Sequence, residues 1–81
     1  MAPIEFYELD GCPFCAKVRE RLNELEIEYN SHSVPSSHAE RTEVEELTGQ
    51  TEVPVIVDPD HDIDGMNESD DIITYLEETY A

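Results

Sequence analysis

Apolar positions along the chain fall into seven short segments whose periods differ. PIEFYEL, Pro3 to Leu9, is an aromatic and apolar run that stops at Asp10-Gly11, the pattern of a strand ending in a turn. Cys15, Val18, Leu22 and Leu25 then recur at helical spacing, with Arg19, Glu20, Asn23 and Glu24 on the wet side and Pro13 in the first turn, where its missing N–H costs nothing. IEYNSHSV, Ile27 to Val34, predicts a second strand. Pro35-Ser36-Ser37 then makes the turn and cap for a helix over His38 to Leu47 that ends at Gly49. VPVIVD, Val53 to Asp58, is a continuous apolar run and therefore a buried strand, with HDIDGM as its antiparallel neighbour. The last segment, NESDDIITYLEETY, puts Ile72, Ile73, Leu76 and Tyr80 on one helical face, with Asn67, Ser69 and Asp70 as caps and acidic first-turn residues. The predicted order is βαβαββα, an α/β chain without repeats or linkers, read as one domain over residues 1–81.

Charge changes the picture most. Asp and Glu number 21 against 4 Lys and Arg, a net charge of −17. Nucleic acid and anionic membrane are poor partners for such a surface. Such a composition can signal disorder, but the 38% of hydrophobic residues and their periodic placement make a folded domain the better reading. Self-repulsion on this scale destabilises a compact chain at low ionic strength, whereas at about 1 M salt the Debye length is ~3 Å and the repulsion is screened. The acidity therefore predicts adaptation to a very salty cytoplasm, as in a halophilic archaeon, against the plainer reading of an acidic, solvated face. MAPIEFYELD has no basic stretch or apolar run of a signal peptide, and no run is long enough to span a bilayer, so a soluble, cytoplasmic protein is expected.

The two cysteines, Cys12 and Cys15, stand in LDGCPFCAKVRERL. A stapling pair would close a longer loop, and structural disulfides are rare in a reducing compartment, so this pair points to redox chemistry or metal. A strand, a tight turn and then cysteine at a helix start place Cys12 where free N–H groups and the helix dipole favour a thiolate. Cys15, one turn on, can attack a mixed disulfide formed on Cys12. Cys12 attacks and Cys15 resolves.

CPFC at a strand-to-helix turn, TGQTEVP leading into a strand and ESDDIITYL opening the last helix together resemble the glutaredoxin family over essentially the whole chain. The resemblance implies a thioredoxin fold, with a four-stranded mixed sheet flanked by three helices, and dithiol oxidoreductase activity. Phe14 stands where the family's motif has tyrosine. Glu52-Val53-Pro54 corresponds to the family's Thr-Val-Pro, which implies a cis Pro54 facing the active site and a Val53 backbone that pairs with the cysteinyl part of a bound thiol. Arg41 corresponds to a position that binds the ligand's other carboxylate. Ser69, Asp70 and Asp71, at the start of the last helix, correspond to the γ-glutamyl site, and a helix N-terminus suits a carboxylate on physical grounds as well. Pro13 and Phe14 complete the implied substrate surface. Leu9 stands where many glutaredoxins carry lysine, and GMNESDDI resembles instead the Glu-Ser stretch of glutathione transferase N-terminal domains. A transferase is not expected, because those enzymes need a second, helical domain.

The implied reductant is glutathione or a related γ-glutamyl thiol such as γ-glutamylcysteine, with no permanently bound cofactor. The implied partners are disulfide-containing proteins, small thiols and a thioredoxin-reductase-like reductase, with the chain acting as a monomer. A second class of function uses the same cysteines for binding, through an iron–sulfur cluster bridged by Cys12 of two chains with two small thiols, or as a metal-binding module. A zinc site wants partner spacings that His32, His38 and His61 lack. Asp60, Asp62, Asp64, Gly65 and Asp71 fall at positions one, three, five, six and twelve of a calcium loop. The strand before them, Asn67 at position eight and an Asp at position twelve favour an acidic hairpin turn.

Overall fold

The structure is a computed structural model in which residues 3–81 are described. Four strands, β1 (Ile4–Glu8), β2 (Tyr29–Ser33), β3 (Val55–Asp58) and β4 (Ile63–Asn67), alternate with three helices, α1 (Pro13–Glu24), α2 (Thr42–Thr48) and α3 (Ser69–Tyr80). The strands form one sheet in the order β2-β1-β3-β4. β1 and β2 run parallel, whereas β1 with β3 and β3 with β4 are antiparallel. The predicted order βαβαββα and the mixed four-stranded sheet of a thioredoxin fold are what the structure has.

The period of two along the strands divides the core between the two faces of the sheet. Ile4, Phe6 and Ile56 meet Cys15, Val18 and Leu22 of α1 and Ile72 and Leu76 of α3, all essentially inaccessible to solvent. Tyr7 and Val55 point the other way and pack with Val44 of α2. Glu8 and Asp58 continue the α1/α3 face, and both are buried. Because β1 and β3 are antiparallel, these two carboxylates lie at opposite ends of the sheet. Each is met by partners from a helix: Glu8 by Arg19 of α1, Asp58 by Tyr75 and Tyr80 of α3.

Three expectations need correction. The helix expected over His38 to Leu47 is a 3-10 turn at His38–Glu40 followed by α2, because Arg41 breaks the helix with φ −87° and ψ 59° and turns its side chain inward. Gly49 does end α2, in the left-handed conformation at φ 78°. β3 begins at Val55 rather than Val53, after the Val53-Pro54 peptide, which is cis. Nor do Asn67, Ser69 or Asp70 cap α3: the cap position is Glu68 at φ 72°, with no side-chain capping bond, and Ser69 is the first helical residue.

Gly65 in β4 lets the sheet edge approach α2. A Cβ there would stand 2.8 Å from the Leu47 carbonyl oxygen, a clash that excludes any larger residue without movement. The segment with calcium-loop spacing is a hairpin: Pro59–His61 forms a 3-10 turn, Asp62 takes the left-handed conformation at φ 57°, and β4 follows.

Candidate active site

Cys12 closes the turn that leaves β1. Its amide donates to the Leu9 carbonyl at 3.2 Å. Its backbone is extended, and its Sγ accepts a hydrogen bond from the Cys15 amide 3.4 Å away. That is an N-cap arrangement with sulfur in place of the usual side-chain oxygen. Pro13 follows at the first helical position, and Phe14 is 56% exposed beside it. Both thiols are free, Cys12 half-buried and Cys15 wholly buried. Burial pushes the Cys15 thiol up to about 12; a backbone hydrogen bond from Leu9 opposes the rise, and Cys12 and Glu8 add to it. Glu8 is held in place by the Arg19 guanidinium and the Ser31 hydroxyl.

Cys12 opens into a cleft of about 430 Å³. It is also lined by the cis Val53-Pro54 segment with Glu52 before it, by Leu9, Phe14, His38 and Arg41, and by Asn67 at the end of β4, Glu68, and Ser69 and Asp70 at the start of α3. The loop before Pro54 is tied internally. Gln50 Nε2 donates to Thr48 Oγ1 at 2.9 Å and to the Glu52 carbonyl at 3.1 Å, while the Glu52 amide donates back to Gln50 Oε1. His38 Nδ1 lies 3.0 Å from Thr51 Oγ1. Across the cleft, Lys17 Nζ sits 3.3 Å from Asp70 Oδ1 and 5.8 Å from the centre of the Phe14 ring, so the single lysine bridges α1 to the first turn of α3 over an aromatic surface.

Of the ten residues expected from sequence, seven line this cleft: Cys12, Phe14, Arg41, Val53, Pro54, Ser69 and Asp70. Cys15 lies beneath Cys12, while Pro13 and Asp71 are exposed outside the lining. Arg41 is present but not as expected. Its side chain is buried, with Nε on the Pro35 carbonyl at 2.8 Å, Nη1 on the Thr51 carbonyl at 2.9 Å and Nη2 on the Ser36 carbonyl at 3.3 Å. Those contacts pin two loops together, because a planar guanidinium with five donors can serve several carbonyls at once. Arg41, expected at the ligand's other carboxylate, thus lines the cleft as a loop anchor with its donors on these carbonyls. His38, Asn67 and Glu68 were not foreseen in the lining. For Glu68 the signal was available in the Glu-Ser stretch.

At the opposite pole Asp58 Oδ2 receives the hydroxyls of Tyr75, at 2.5 Å, and Tyr80, and lies 3.0 Å from His61 Nδ1. Burial raises this carboxyl, but the three hydrogen bonds together hold it below its ordinary value. Tyr75 and Tyr80 are pushed well up, by burial first and by the hydrogen bond to Asp58 second, with the Asp58 charge adding to both.

Fold and site define a thiol protein of the thioredoxin fold, with its dithiol at the first strand-to-helix turn. Residues 6–81 match the family model described as the N-terminal domain of glutathione S-transferase. The chain is 33% identical over 67 residues to a glutaredoxin-like 8.6 kDa protein of the rubredoxin operon of Clostridium pasteurianum, covering 83% of this chain and 89% of that one. It is 27% identical over 62 residues to glutaredoxin 3 of Escherichia coli, covering 75% of each. The chain therefore belongs to the glutaredoxin family, and through residues 6–81 to the glutathione S-transferase N-terminal-domain family that shares its fold. Among solved structures it is similar to a glutathione S-transferase from the Antarctic clam Laternula elliptica, with TM-score 0.84 and 34% identity over 98% of this chain and 36% of that one. A glutathione transferase homologue from Drosophila mojavensis with bound glutathione has TM-score 0.85 and 26% identity over 99% of this chain and 36% of that one. The chain thus spans about a third of the length of these transferase structures. No helix among the described residues is long and apolar enough to cross a membrane.

Proposed function

We propose that the chain is a thiol–disulfide oxidoreductase that reduces protein or small-molecule mixed disulfides through the Cys12-Pro13-Phe14-Cys15 dithiol, acting as a cytoplasmic monomer built from one domain over residues 1–81. Cys12 as thiolate attacks one sulfur of a substrate disulfide, which breaks as the Cys12–substrate bond forms and one thiol leaves. Cys15 gives up its proton and attacks Cys12 Sγ, releasing the second thiol and leaving a Cys12–Cys15 disulfide. Two electrons pass from the dithiol to the substrate. A small γ-glutamyl thiol, glutathione or a relative, or a thioredoxin-reductase-like enzyme then returns two electrons and restores both thiols.

The observation that carries this reading is the pairing of one accessible sulfur at a helix N-cap with one wholly buried a turn behind it, beside a substrate-sized cleft. The Cys15 amide meets charge on Cys12 Sγ. The Val53 backbone, in the bend before the cis Pro54, lines the cleft where the cysteinyl part of a thiol would pair, and Ser69 with Asp70 offers the γ-glutamyl end a helix start. The test is a turnover assay of the purified protein on bis(2-hydroxyethyl) disulfide, with candidate thiols or thioredoxin reductase as electron donor, at low and molar KCl. Reduction that depends on Cys12 supports the reading. A folded, fully reduced protein that transfers no electrons to any disulfide overturns it. A visible charge-transfer band in anaerobically purified protein would favour cluster bridging by Cys12 instead.

A further inference from the structure

We infer that the dithiol cleft selects disulfides carrying ammonium or guanidinium groups beside the sulfur–sulfur bond over disulfides carrying carboxylates, and that Glu52 and Glu68 set this preference. The inference rests on the dithiol reading above and names the substrate class of that same site.

The charges lining the cleft carry the argument. Glu52, Glu68 and Asp70 contribute carboxylates, and Arg41 is the only lysine or arginine in the lining. Arg41 is buried, and its donors are turned to the carbonyls of Pro35, Ser36 and Thr51. Asp70 is matched by Lys17. That leaves Glu52 and Glu68, both exposed, and among the described residues no hydrogen bond or ion pair holds either carboxylate. Neither is free to swing its backbone away. The Glu52 main chain is held by Gln50 from both its amide and its carbonyl. Glu68 sits at φ 72° and ψ 108°, a conformation unfavourable for a residue with a side chain and one that the surrounding structure must impose.

The half-charge at the start of α3 offsets only part of these two full charges. The half-charge at the start of α1 is already met by Cys12 Sγ. The net charge of −17 adds the same sign from the rest of the chain, and a cleft with low-dielectric walls concentrates that field at its mouth. A carboxylate approaching Cys12 therefore meets repulsion, and an ammonium meets attraction.

The experiment uses the reduced full chain and three small disulfides of similar size: cystamine, which is cationic, bis(2-hydroxyethyl) disulfide, which is neutral, and bis(2-carboxyethyl) disulfide, which is anionic. Rates are measured at one pH, about 8, for all three disulfides. Each is divided by the rate of the same disulfide with a neutral dithiol, to remove leaving-group differences. At the lowest KCl that retains the circular dichroism of the molar-salt protein, cystamine should outpace the anionic disulfide at least about tenfold, and at about 1 M KCl the ratio should fall to within about threefold. In the Glu52→Gln/Glu68→Gln double variant the low-salt ratio should fall several-fold. Lys17→Gln, which uncovers Asp70, should raise it. A structural disturbance would move both rates together and leave the ratio alone.

Reduction of the neutral disulfide with a cation-to-anion ratio near one or inverted overturns the inference while the dithiol reading stands. A high ratio that survives in the double variant overturns the assignment to Glu52 and Glu68. Failure of the wild-type protein to reduce even the neutral disulfide overturns the dithiol reading, and the inference with it.

Discussion

The backbone amide of Cys15 donates to the sulfur of Cys12 across 3.4 Å, while the Cys15 side chain is wholly buried. The same residue thus supports the attacking sulfur through its main chain and stands ready behind it with its side chain. We predict that Cys12→Ser abolishes disulfide reduction, whereas Cys15→Ser accumulates a mixed disulfide on Cys12 and keeps turnover where a small thiol can resolve it. Iodoacetamide near neutral pH should label Cys12 first in the reduced native protein. Peptide mapping that finds Cys15 labelled and Cys12 untouched would reverse the two roles.

Burial sets the pH dependence of the second step. The Cys15 thiol is pushed up to about 12. Resolution of a Cys12 mixed disulfide should therefore accelerate as pH rises from about 7 to 9 and the Cys15 thiolate fraction grows, because burial still raises the Cys15 thiol when Cys12 is bonded to substrate. Stability should move the other way. A thiol whose folded pKa lies above its unfolded value of about 8.5 contributes stability that is complete below 8.5 and is lost as pH rises toward about 12. Tyr75 and Tyr80, raised in the same sense, add to the loss above about pH 10. Urea midpoints should fall steadily on the alkaline side, and less steeply in Cys15→Ala. A midpoint that climbs there contradicts the assignment.

The strands and the two long helices were legible because their apolar periods are clean: Ile4 and Phe6 alternate, and Val18 and Leu22 recur on one face and are buried as that spacing requires. The dithiol was legible because its chemistry is local, a cap and one helical turn. What periodicity could not supply were the long-range uses of polar residues. Arg41 was expected at the ligand's carboxylate and inside a helix over His38 to Leu47, yet its guanidinium reaches carbonyls on both sides of it in sequence and its backbone breaks that helix. Asp58 read as the polar end of a strand, although tyrosines 17 and 22 residues away make it part of the interior. Helical spacing puts Lys17, Arg19 and Arg21 on α1 as surface charges or as offsets to nearby acidity, and what it could not show is which carboxylate each reaches on another element, Asp70, Glu8 and Glu77.

Arg41 gives a prediction that separates anchoring from ligand binding. Arg41→Ala removes three donors from the Pro35, Ser36 and Thr51 carbonyls and should cost about 1–3 kcal/mol of stability. It should also loosen the loop that carries Val53 and Pro54, so hydrogen exchange in residues 50–53 should rise. Arg41→Lys should recover little, since one ammonium cannot span three carbonyls. A variant of normal stability with only a raised KM for an acidic thiol would restore the carboxylate-binding role expected from the sequence.

Asp58 governs the acid side. Although burial raises its carboxyl, the hydrogen bonds from Tyr75, Tyr80 and His61 outweigh that effect, so its folded pKa is depressed. The stability it contributes is therefore present above the unfolded value of about 3.9 and disappears as pH falls through the folded one. Asp58→Ala takes the acceptor from two half-buried hydroxyls, leaving Tyr80 only His61 Nδ1 at 3.3 Å, and should cost about 1–3 kcal/mol. Asp58→Asn should be milder at neutral pH and should flatten the acid limb of the stability curve. An acid limb unchanged in Asp58→Asn would mean that another carboxylate controls it.

Salt acts on two opposing sets of charges, and their numbers decide the outcome. Three of the four cationic side chains are engaged in ion pairs, Lys17 with Asp70, Arg19 with Glu8, and Arg21 with Glu24 and Glu77, while Arg41 holds carbonyls. Screening weakens those pairs, but the exposed ones are worth little to begin with. It also relieves repulsion among 21 carboxylates that four cations cannot neutralise. Relief should win. If it amounts to about 2 kcal/mol between 0.05 and 1 M KCl, a domain of this size should gain on the order of 10 °C in Tm, most of it before the Debye length falls below the spacing of neighbouring carboxylates. The KM for an anionic γ-glutamyl thiol should fall over the same range. A gain produced by sulfate and absent in KCl would point to exclusion of the salt from the surface rather than to screening. A flat or falling Tm in both salts would show that the acidity is not an adaptation to high salt.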